Sequence, residues 1–132
     1  MDEKKVIYIA DDDFSIREPL QTFLEDAGFV VRVFETGDAL LTEFSKNPSD
    51  LVISDVMMPG SSGFIVCKEI RRFSHVPIIM FTSRDSDLDY QTALDLGSDD
   101  LFVKPANPMN IVSCVKAIFR RIEFERKKYK GH

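Results

Sequence analysis

Five short apolar runs recur along the 132-residue chain, and a longer stretch with helical spacing of its apolar residues follows each of them. The runs are Val6–Ala10, Phe29–Phe34, Asp50–Asp55, Pro77–Phe81 and Asp100–Val103. They have the length and the Val, Ile and Phe content of strands, and the first is apolar on both faces, as a central parallel strand should be. This alternation predicts an α/β domain in which helices cover both faces of one parallel sheet.

Turn and cap residues between the runs complete the pattern. Asp13 or Ser15 is suited to cap the first helix, and Gly28 is suited to end it. The third helix is expected to include Phe73, and Arg32 in the second run suggests an edge strand. For a doubly wound sheet of five strands, the flavodoxin-like (βα)5 order is 2-1-3-4-5, with a switch point between strands one and three.

Length and composition indicate one globular domain. The chain is 44% hydrophobic and 30% charged, which is enough apolar material for a core and not typical of disorder. We assign residues 1–124 to this domain and residues 125–132 to a helical extension, a linker or a tail left from expression. Cys67 and Cys114 lack the spacing of metal ligands, and we expect them on opposite faces of the sheet, too far apart for a disulfide.

The net charge of −5 is unevenly distributed. Residues 120–132 hold six basic and two acidic side chains, so residues 1–119 carry a net charge of −9. An acidic body disfavours direct binding of nucleic acid by this domain. No apolar run approaches the length of a membrane span, and the N-terminus lacks a signal-peptide pattern, so we expect a cytoplasmic protein without membrane contact.

Polar side chains stand at the carboxyl ends of four strands. Asp11 and Asp12 follow the first run, and Asp55 ends the third. Thr82 follows the fourth run and Lys104 follows the fifth. Ligands of open α/β sheets bind at this edge. Each residue alone has a simpler explanation, because Asp and Thr often cap helices and a lone Lys is usually solvated, but five of them at one edge are hard to explain by capping.

The chemistry of this set favours a metal and a phosphoryl group. Three carboxylates at one edge repel one another, and burial increases the cost. A hard divalent cation relieves the repulsion, and Mg²⁺ prefers such oxygen ligands, with Mn²⁺ as a second candidate. With the ammonium of Lys104 and the hydroxyl of Thr82, the ion would form a receptor for a phosphoryl group. Asp55 is then the candidate nucleophile, which forms an aspartyl phosphate.

The ordered set resembles the receiver domain of two-component response regulators over about residues 5–120. The matching residues are Asp11-Asp12, Asp55-Val56-Met57-Met58-Pro59-Gly60, Thr82 and Lys104-Pro105. The resemblance implies that Asp11, Asp12, Asp55 and the backbone carbonyl of Met57 hold Mg²⁺. It also implies that Asp55 accepts a phosphoryl group from a sensor histidine kinase or a phosphotransfer protein.

By this resemblance, phosphorylation of Asp55 operates a signalling switch. Thr82 and Lys104 are expected to contact the phosphoryl group and to draw in the loop after the fourth strand. This alters the surface formed by the fourth helix, fifth strand and fifth helix, which would control an output domain or protein partner and allow a homodimer. The domain is expected to catalyse only its own phosphorylation and a slow dephosphorylation, and not to be a turnover enzyme.

Four positions are expected to modulate the switch. Met57 and Arg84 each lie two residues after a site residue, and this bulky pair is expected to hinder the water that hydrolyses the aspartyl phosphate. The family usually carries an aromatic residue three positions before the lysine, where this chain has Leu101. Either the aromatic coupling is absent, or the adjacent Phe102 takes a related role. Ser62 replaces a usually acidic residue, with a small expected effect.

Three other functions deserve comparison on the same fold. A phosphohydrolase similar to the haloacid dehalogenases needs an acid two residues after its nucleophile, where this chain has Met57. A flavin or dinucleotide carrier needs a phosphate-cradling loop after the first strand, where three aspartates stand instead. A degenerate receiver that only binds partners does not need the full acidic set.

Overall fold

The computed structural model describes residues 4–83 and 87–130, and within these ranges five strands alternate with five helices. The strands are β1 (Val6–Ala10), β2 (Val30–Phe34), β3 (Leu51–Asp55), β4 (Ile78–Thr82) and β5 (Asp100–Val103). The helices are α1 (Phe14–Asp26), α2 (Gly37–Lys46), α3 (Gly63–Arg71), α4 (Asp87–Asp95) and α5 (Pro108–Lys130). All strand pairs are parallel, in the order β2-β1-β3-β4-β5. The predicted α/β architecture and strand order are confirmed.

Apolar side chains cover both faces of the sheet. Tyr8 and Met80 belong to the cluster that includes residues of α2 and α3, whereas Ile7 and Ile9 belong to the cluster that includes residues of α1 and α5. Neighbouring residues of β1 fall into different clusters because side chains alternate along a strand. Every residue of β3 and β4 is buried, which explains the unbroken apolar residues 51–53 and 78–81 that begin these strands. The polar residues at their carboxyl ends are buried as well.

The two cysteines follow the same division between the faces. Cys67 is buried in the cluster beside α2 and α3, and Cys114 packs against the cluster beside α1 and α5. Both are free thiols, as the sequence predicts.

Side-chain caps begin α1, α2 and α3. Asp13 caps α1 by accepting a hydrogen bond from the amide of Ser15 (3.0 Å), and Thr36 caps α2 by accepting from the amide of Ala39 (3.1 Å). Ser62 caps α3, so the hydroxyl supplies the capping oxygen at the position where an acidic residue is more usual.

The expectation that Phe73 lies inside the third helix is wrong, because α3 ends at Arg71. The amides of Phe73 and Ser74 both donate to the carbonyl of Ile70, and the Phe73 side chain is 62% exposed. The guanidinium of Arg71 donates to the carbonyls that follow, at Ser74 and Val76, and these contacts direct the chain away from the helix axis.

The last helix, α5, continues without a break from Pro108 to Lys130 and is about 34 Å long at 1.5 Å per residue. The division of the chain between residues 124 and 125 therefore stays a prediction. Among the described residues, none of the helices combines the length and hydropathy that a bilayer crossing requires.

Candidate functional site

Three carboxylates meet at the carboxyl edge of the sheet, where β1 and β3 pair side by side. Asp11 and Asp12 follow β1 directly, and Asp55 is the last residue of β3. One carboxylate oxygen from each of the three lies within 4.8 Å of the others. Asp11 and Asp55 are buried, whereas Asp12 is exposed. The buried pair thus forms the floor of the site and Asp12 forms its rim.

Lys104, which follows β5, reaches across the edge of the sheet to this floor. Its Nζ donates to Oδ2 of Asp11 and to Oδ2 of Asp55, each at 3.1 Å. The backbone amide of Lys104 donates to the carbonyl of Thr82 (2.7 Å), which ties the chain after β5 to the end of β4. The Lys104 side chain is only 14% exposed, so water screens its attraction to the two carboxylates only weakly.

Burial and hydrogen bonds act in opposite directions on the pKa values of Asp55 and Lys104. Burial raises the pKa of Asp55 above the usual range of an aspartate, the hydrogen bond from Lys104 offsets part of that rise, and the nearby Asp11 adds to it. Burial lowers the pKa of Lys104, but hydrogen bonds to Asp55 and Asp11 outweigh it, and the net pKa is raised. Lys104 therefore carries its positive charge throughout the neutral range.

Backbone contacts fix the positions of the carboxylates. Oδ1 of Asp11 accepts from the amide of Asp13 (2.9 Å), and the guanidinium of Arg17 donates to the Asp11 carbonyl (2.7 Å). Oδ1 of Asp55 accepts from the amide of Met57 at 3.3 Å. The role of Arg17 was not found from the sequence, because a side chain that reaches a backbone carbonyl leaves no spacing signal.

The other positions singled out in the sequence lie around this floor. Thr82 is fully buried as the last residue of β4, between β3 and β5. Met57 is the second residue of the loop after β3, and it is 53% exposed. Arg84 lies outside the described residues.

The adjacent residues Leu101 and Phe102 of β5 face opposite sides of the sheet. Leu101 is buried in the cluster that includes α3 and Ala93 of α4. Phe102 packs against the cluster beside α1 and α5, with its ring centroid 6.1 Å from that of Phe81. Phe102 therefore does not share the environment of Leu101.

The donor set fits a hard divalent cation. It consists of carboxylate oxygens, the ligands that Mg²⁺ takes, and one of the three groups is exposed enough to leave room for retained waters. The three carboxylates and Lys104 together carry a charge of about −2 when all are ionised, which a divalent ion would balance.

Comparison with known families supports a signalling role. The family model described as "Response regulator receiver domain" matches residues 7–116. A curated relative, the Sensory transduction protein RegX3 of Mycobacterium tuberculosis, is 40% identical over 115 residues, which cover 87% of this chain and 51% of the relative. The Transcriptional regulatory protein BaeR of Escherichia coli is 36% identical over 120 residues, which cover 91% of this chain and 50% of the relative. The chain thus spans about half the length of these relatives.

Solved structures agree with the family match. A two-component response regulator from Clostridium difficile superposes with a TM-score of 0.86 at 29% identity, and the match covers 90% of this chain and 98% of that one.

Proposed function

Because the chain belongs to the response regulator receiver domain family of two-component signalling, we propose that it is a phosphorylation-controlled switch whose phosphoacceptor is Asp55. Receiver domains are signalling domains rather than classical enzymes. The observation that carries the proposal is the placement of one ammonium, Lys104 Nζ, at 3.1 Å from both buried carboxylates, with a third carboxylate at their rim. A fold needs no such cluster for its stability, whereas the transfer of a charged phosphoryl group does.

Asp11, Asp12, Asp55 and the backbone carbonyl of Met57 are the proposed ligands of Mg²⁺, with Mn²⁺ as an alternative ion. When bound, the ion offsets the negative charge of the carboxylates and of the incoming phosphoryl oxygens. The clustering of the three carboxylates and the exposed position of Met57 support this assignment.

In the proposed transfer, a carboxylate oxygen of Asp55 forms a bond to the phosphorus of a phosphohistidine on a sensor kinase or phosphotransfer protein. The phosphorus–nitrogen bond breaks, and its electron pair remains on the imidazole. The hydrogen bond from Lys104 offsets part of the rise that burial causes in the pKa of Asp55, and Lys104 is close enough to contact the phosphoryl oxygens as their charge develops. The hydroxyl of Thr82 donates to one of those oxygens.

We propose that the output surface is formed by α4, β5 and α5. Large apolar side chains are exposed there before any partner binds, at Tyr90 (47%) and Leu94 (40%) of α4 and Val103 (41%) of β5. Because Leu101 replaces the usual aromatic residue and Phe102 faces the other side, the change at this surface would arise from movement of the loop after Thr82 rather than from the swing of a ring. Homodimerisation through this surface is a further proposal, which sedimentation velocity with and without phosphodonor tests.

In the whole protein, the proposed role of this domain is to control an output domain that acts on transcription. The name of the relative BaeR, a transcriptional regulatory protein about twice as long as the matched region, supports this. The receiver itself is not proposed to bind nucleic acid, since residues 1–119 carry a net charge of −9.

The test is incubation with acetyl phosphate and Mg²⁺, followed by intact-protein mass measurement. We expect wild type to gain one phosphoryl group, Asp55→Asn to gain none, and Asp26→Asn, an exposed carboxylate of α1, to behave as wild type. A phosphoryl group retained by Asp55→Asn would assign the acceptor elsewhere. Consumption of many equivalents of donor in minutes would instead favour a phosphohydrolase.

A further inference from the structure

We propose that Ser61 and Asp38 form a latch that holds the β3–α3 loop (residues 56–62) in the conformation that presents Met57 to the metal. The inference rests on the proposed function, since it concerns the same metal site. It assigns a positioning role to two residues that lie outside the cluster of Asp11, Asp12 and Asp55 and that are 23 positions apart in the chain.

The latch is a charge-assisted hydrogen bond between two elements. The hydroxyl of Ser61 donates to Oδ1 of Asp38 at 2.5 Å. Asp38 stands in the first turn of α2, where the helix dipole favours a negative charge. A hydrogen bond to an ionised acceptor is shorter and stronger than a neutral one, so this contact can restrain an exposed loop.

Two glycines allow the helix and the loop to approach this closely. A Cβ at Gly37 of α2 would lie 2.8 Å from the carbonyl oxygen of Ser61 and 2.6 Å from a methyl carbon of Val66. A Cβ at Gly60, whose φ is +77°, would lie 2.8 Å from Oδ2 of Asp38. Gly37 therefore leaves room for the loop, and Gly60 leaves room for the side chain of Asp38.

The rest of the loop is held mainly at its two ends. The amide of Val56 donates to the carbonyl of Phe81 (2.6 Å), and the amide of Gly63 donates to the carbonyl of Val56 (3.0 Å). The contact of the Met57 amide with Asp55 is long, at 3.3 Å. Without the Ser61 contact, the middle of the loop would sample more conformations. Because an ion binds the competent fraction alone, its apparent dissociation constant would rise as that fraction falls.

The experiment measures Mg²⁺ binding by calorimetry and the ¹³C-methyl signals of methionine in the metal-free protein. Ser61→Ala and Asp38→Ala should each raise the Mg²⁺ dissociation constant by roughly fivefold, the factor for one net hydrogen bond. Both should also shift the methyl signal of Met58, because this methyl group lies beside Gly37, the chain neighbour of Asp38. A Cβ at Gly37 would lie 3.4 Å from the methyl carbon of Met58. The double variant should bind no more weakly than the weaker single variant, because both remove the same contact.

Three controls separate the latch from other effects. Asp38→Asn loses the charge but keeps an oxygen that accepts a neutral, weaker hydrogen bond from Ser61, so it should lose less affinity than Asp38→Ala. Ser45→Ala removes a hydroxyl of α2 that donates to Thr42 and should change nothing. Asp12→Asn removes a proposed ligand and should weaken binding far more than any latch variant.

The outcomes distinguish the two proposals. Wild-type Mg²⁺ affinity in Ser61→Ala, together with weak binding in Asp12→Asn, would overturn the latch and leave the proposed function intact. Equal loss of affinity in Asp38→Asn and Asp38→Ala would also overturn it, because charge and not the hydrogen bond would be responsible. Absence of Mg²⁺ binding to wild type would overturn the proposed function, and the latch with it.

Discussion

The surroundings of Asp55 oppose the ionisation of its carboxyl group. Its carboxylate is buried beside a second buried carboxylate, Asp11, and the pKa of Asp55 is raised by that burial despite the hydrogen bond from Lys104. As the proposed nucleophile, Asp55 would be poorly hydrated and held in position, which would favour its attack on an incoming phosphorus. The same arrangement costs folding free energy, so activity and stability depend on this residue in opposite directions.

We expect Asp55→Asn to stabilise the metal-free protein at neutral pH. Folding raises the pKa of Asp55, so at pH values below its pKa in the unfolded chain the residue costs wild type no stability. As pH rises from there through the pKa of Asp55 in the folded protein, the stability of wild type falls progressively. The neutral variant avoids this loss and still offers Lys104 an oxygen. Thermal unfolding at several pH values should show the two melting temperatures converging near pH 3 to 4 and separating toward pH 7. Each kcal/mol corresponds to about 3–5 °C for a domain of this size.

A melting temperature of Asp55→Asn that falls below wild type at pH 7 in the absence of metal would contradict this prediction. The matched control is Asp26→Asn, which removes an exposed carboxylate of α1 and should leave the melting temperature within about 1 °C at every pH.

Met57 is expected to slow hydrolysis of the aspartyl phosphate. Its exposed side chain stands two residues after Asp55 and would hinder a water molecule from approaching in line with the phosphorus. Met57→Ala should shorten the lifetime of the phosphorylated form several-fold, and the same is expected for Arg84→Ala. Loss of the phosphoryl group can be followed by mass after removal of the donor. Met109→Ala, an exposed methionine of α5, serves as the control, and wild-type decay in Met57→Ala would refute the role.

At the scale of elements, the sequence predicted best where an element is buried on both faces. The strands β3 and β4 were found because every residue is buried, so each begins with apolar residues on both faces, at positions 51–53 and 78–81. The end of α3 was misplaced because it depends on Arg71, whose guanidinium binds carbonyls of the following segment. These contacts span only three and five positions and follow no periodic pattern, so the sequence does not indicate them. Phe73 is left exposed, although its sequence position continues the apolar pattern.

The alternation of β5 leads to a prediction for coupling. Leu101 faces the cluster beside α3 and α4, so Leu101→Ala should weaken the link between phosphorylation and the α4–β5–α5 surface, at a stability cost of about 2–3 kcal/mol. Phe102→Leu, on the opposite face, should leave the link intact. Amide chemical shifts of α4 with and without acetyl phosphate report the coupling. Equal loss of the shift change in both variants would show that the face of β5 is irrelevant.

The exposed end of α5 is expected to be dispensable for folding. Residues 125–128 are exposed, and the ion pair of Arg126 with Glu123 is exposed and long, at 3.8 Å. A chain that ends at residue 124 should therefore keep the melting temperature within about 2 °C, because exposed pairs contribute little. Its phosphorylation by acetyl phosphate should also be unchanged. A fall of more than about 5 °C would place the domain boundary beyond residue 124.

At the scale of the whole molecule, the sequence predicted the convergence of Asp11, Asp12, Asp55 and Lys104 because parallel strands deliver their carboxyl ends to one edge. The strand topology alone brings these residues together, so their convergence could be predicted without knowledge of side-chain contacts. The contact between Ser61 and Asp38 had no comparable signal. It joins an exposed loop to a helix terminus, neither of which has a periodic pattern, and only coordinates reveal it.

The final prediction concerns Mg²⁺ and the stability of the whole domain. Unfolding separates Asp11 and Asp12 from Asp55, which lies 44 and 43 positions away in the chain, so an ion that needs all three binds only the folded chain. The melting temperature should rise with the logarithm of Mg²⁺ concentration, and a hundredfold excess over the dissociation constant should add about 2.7 kcal/mol. Asp12→Asn and Asp55→Asn should show a flat response, so Mg²⁺ should reverse the order of stability between wild type and Asp55→Asn. Sodium chloride at equal ionic strength controls for screening of the acidic body. An identical response to both salts would mean that the three carboxylates do not act as one site.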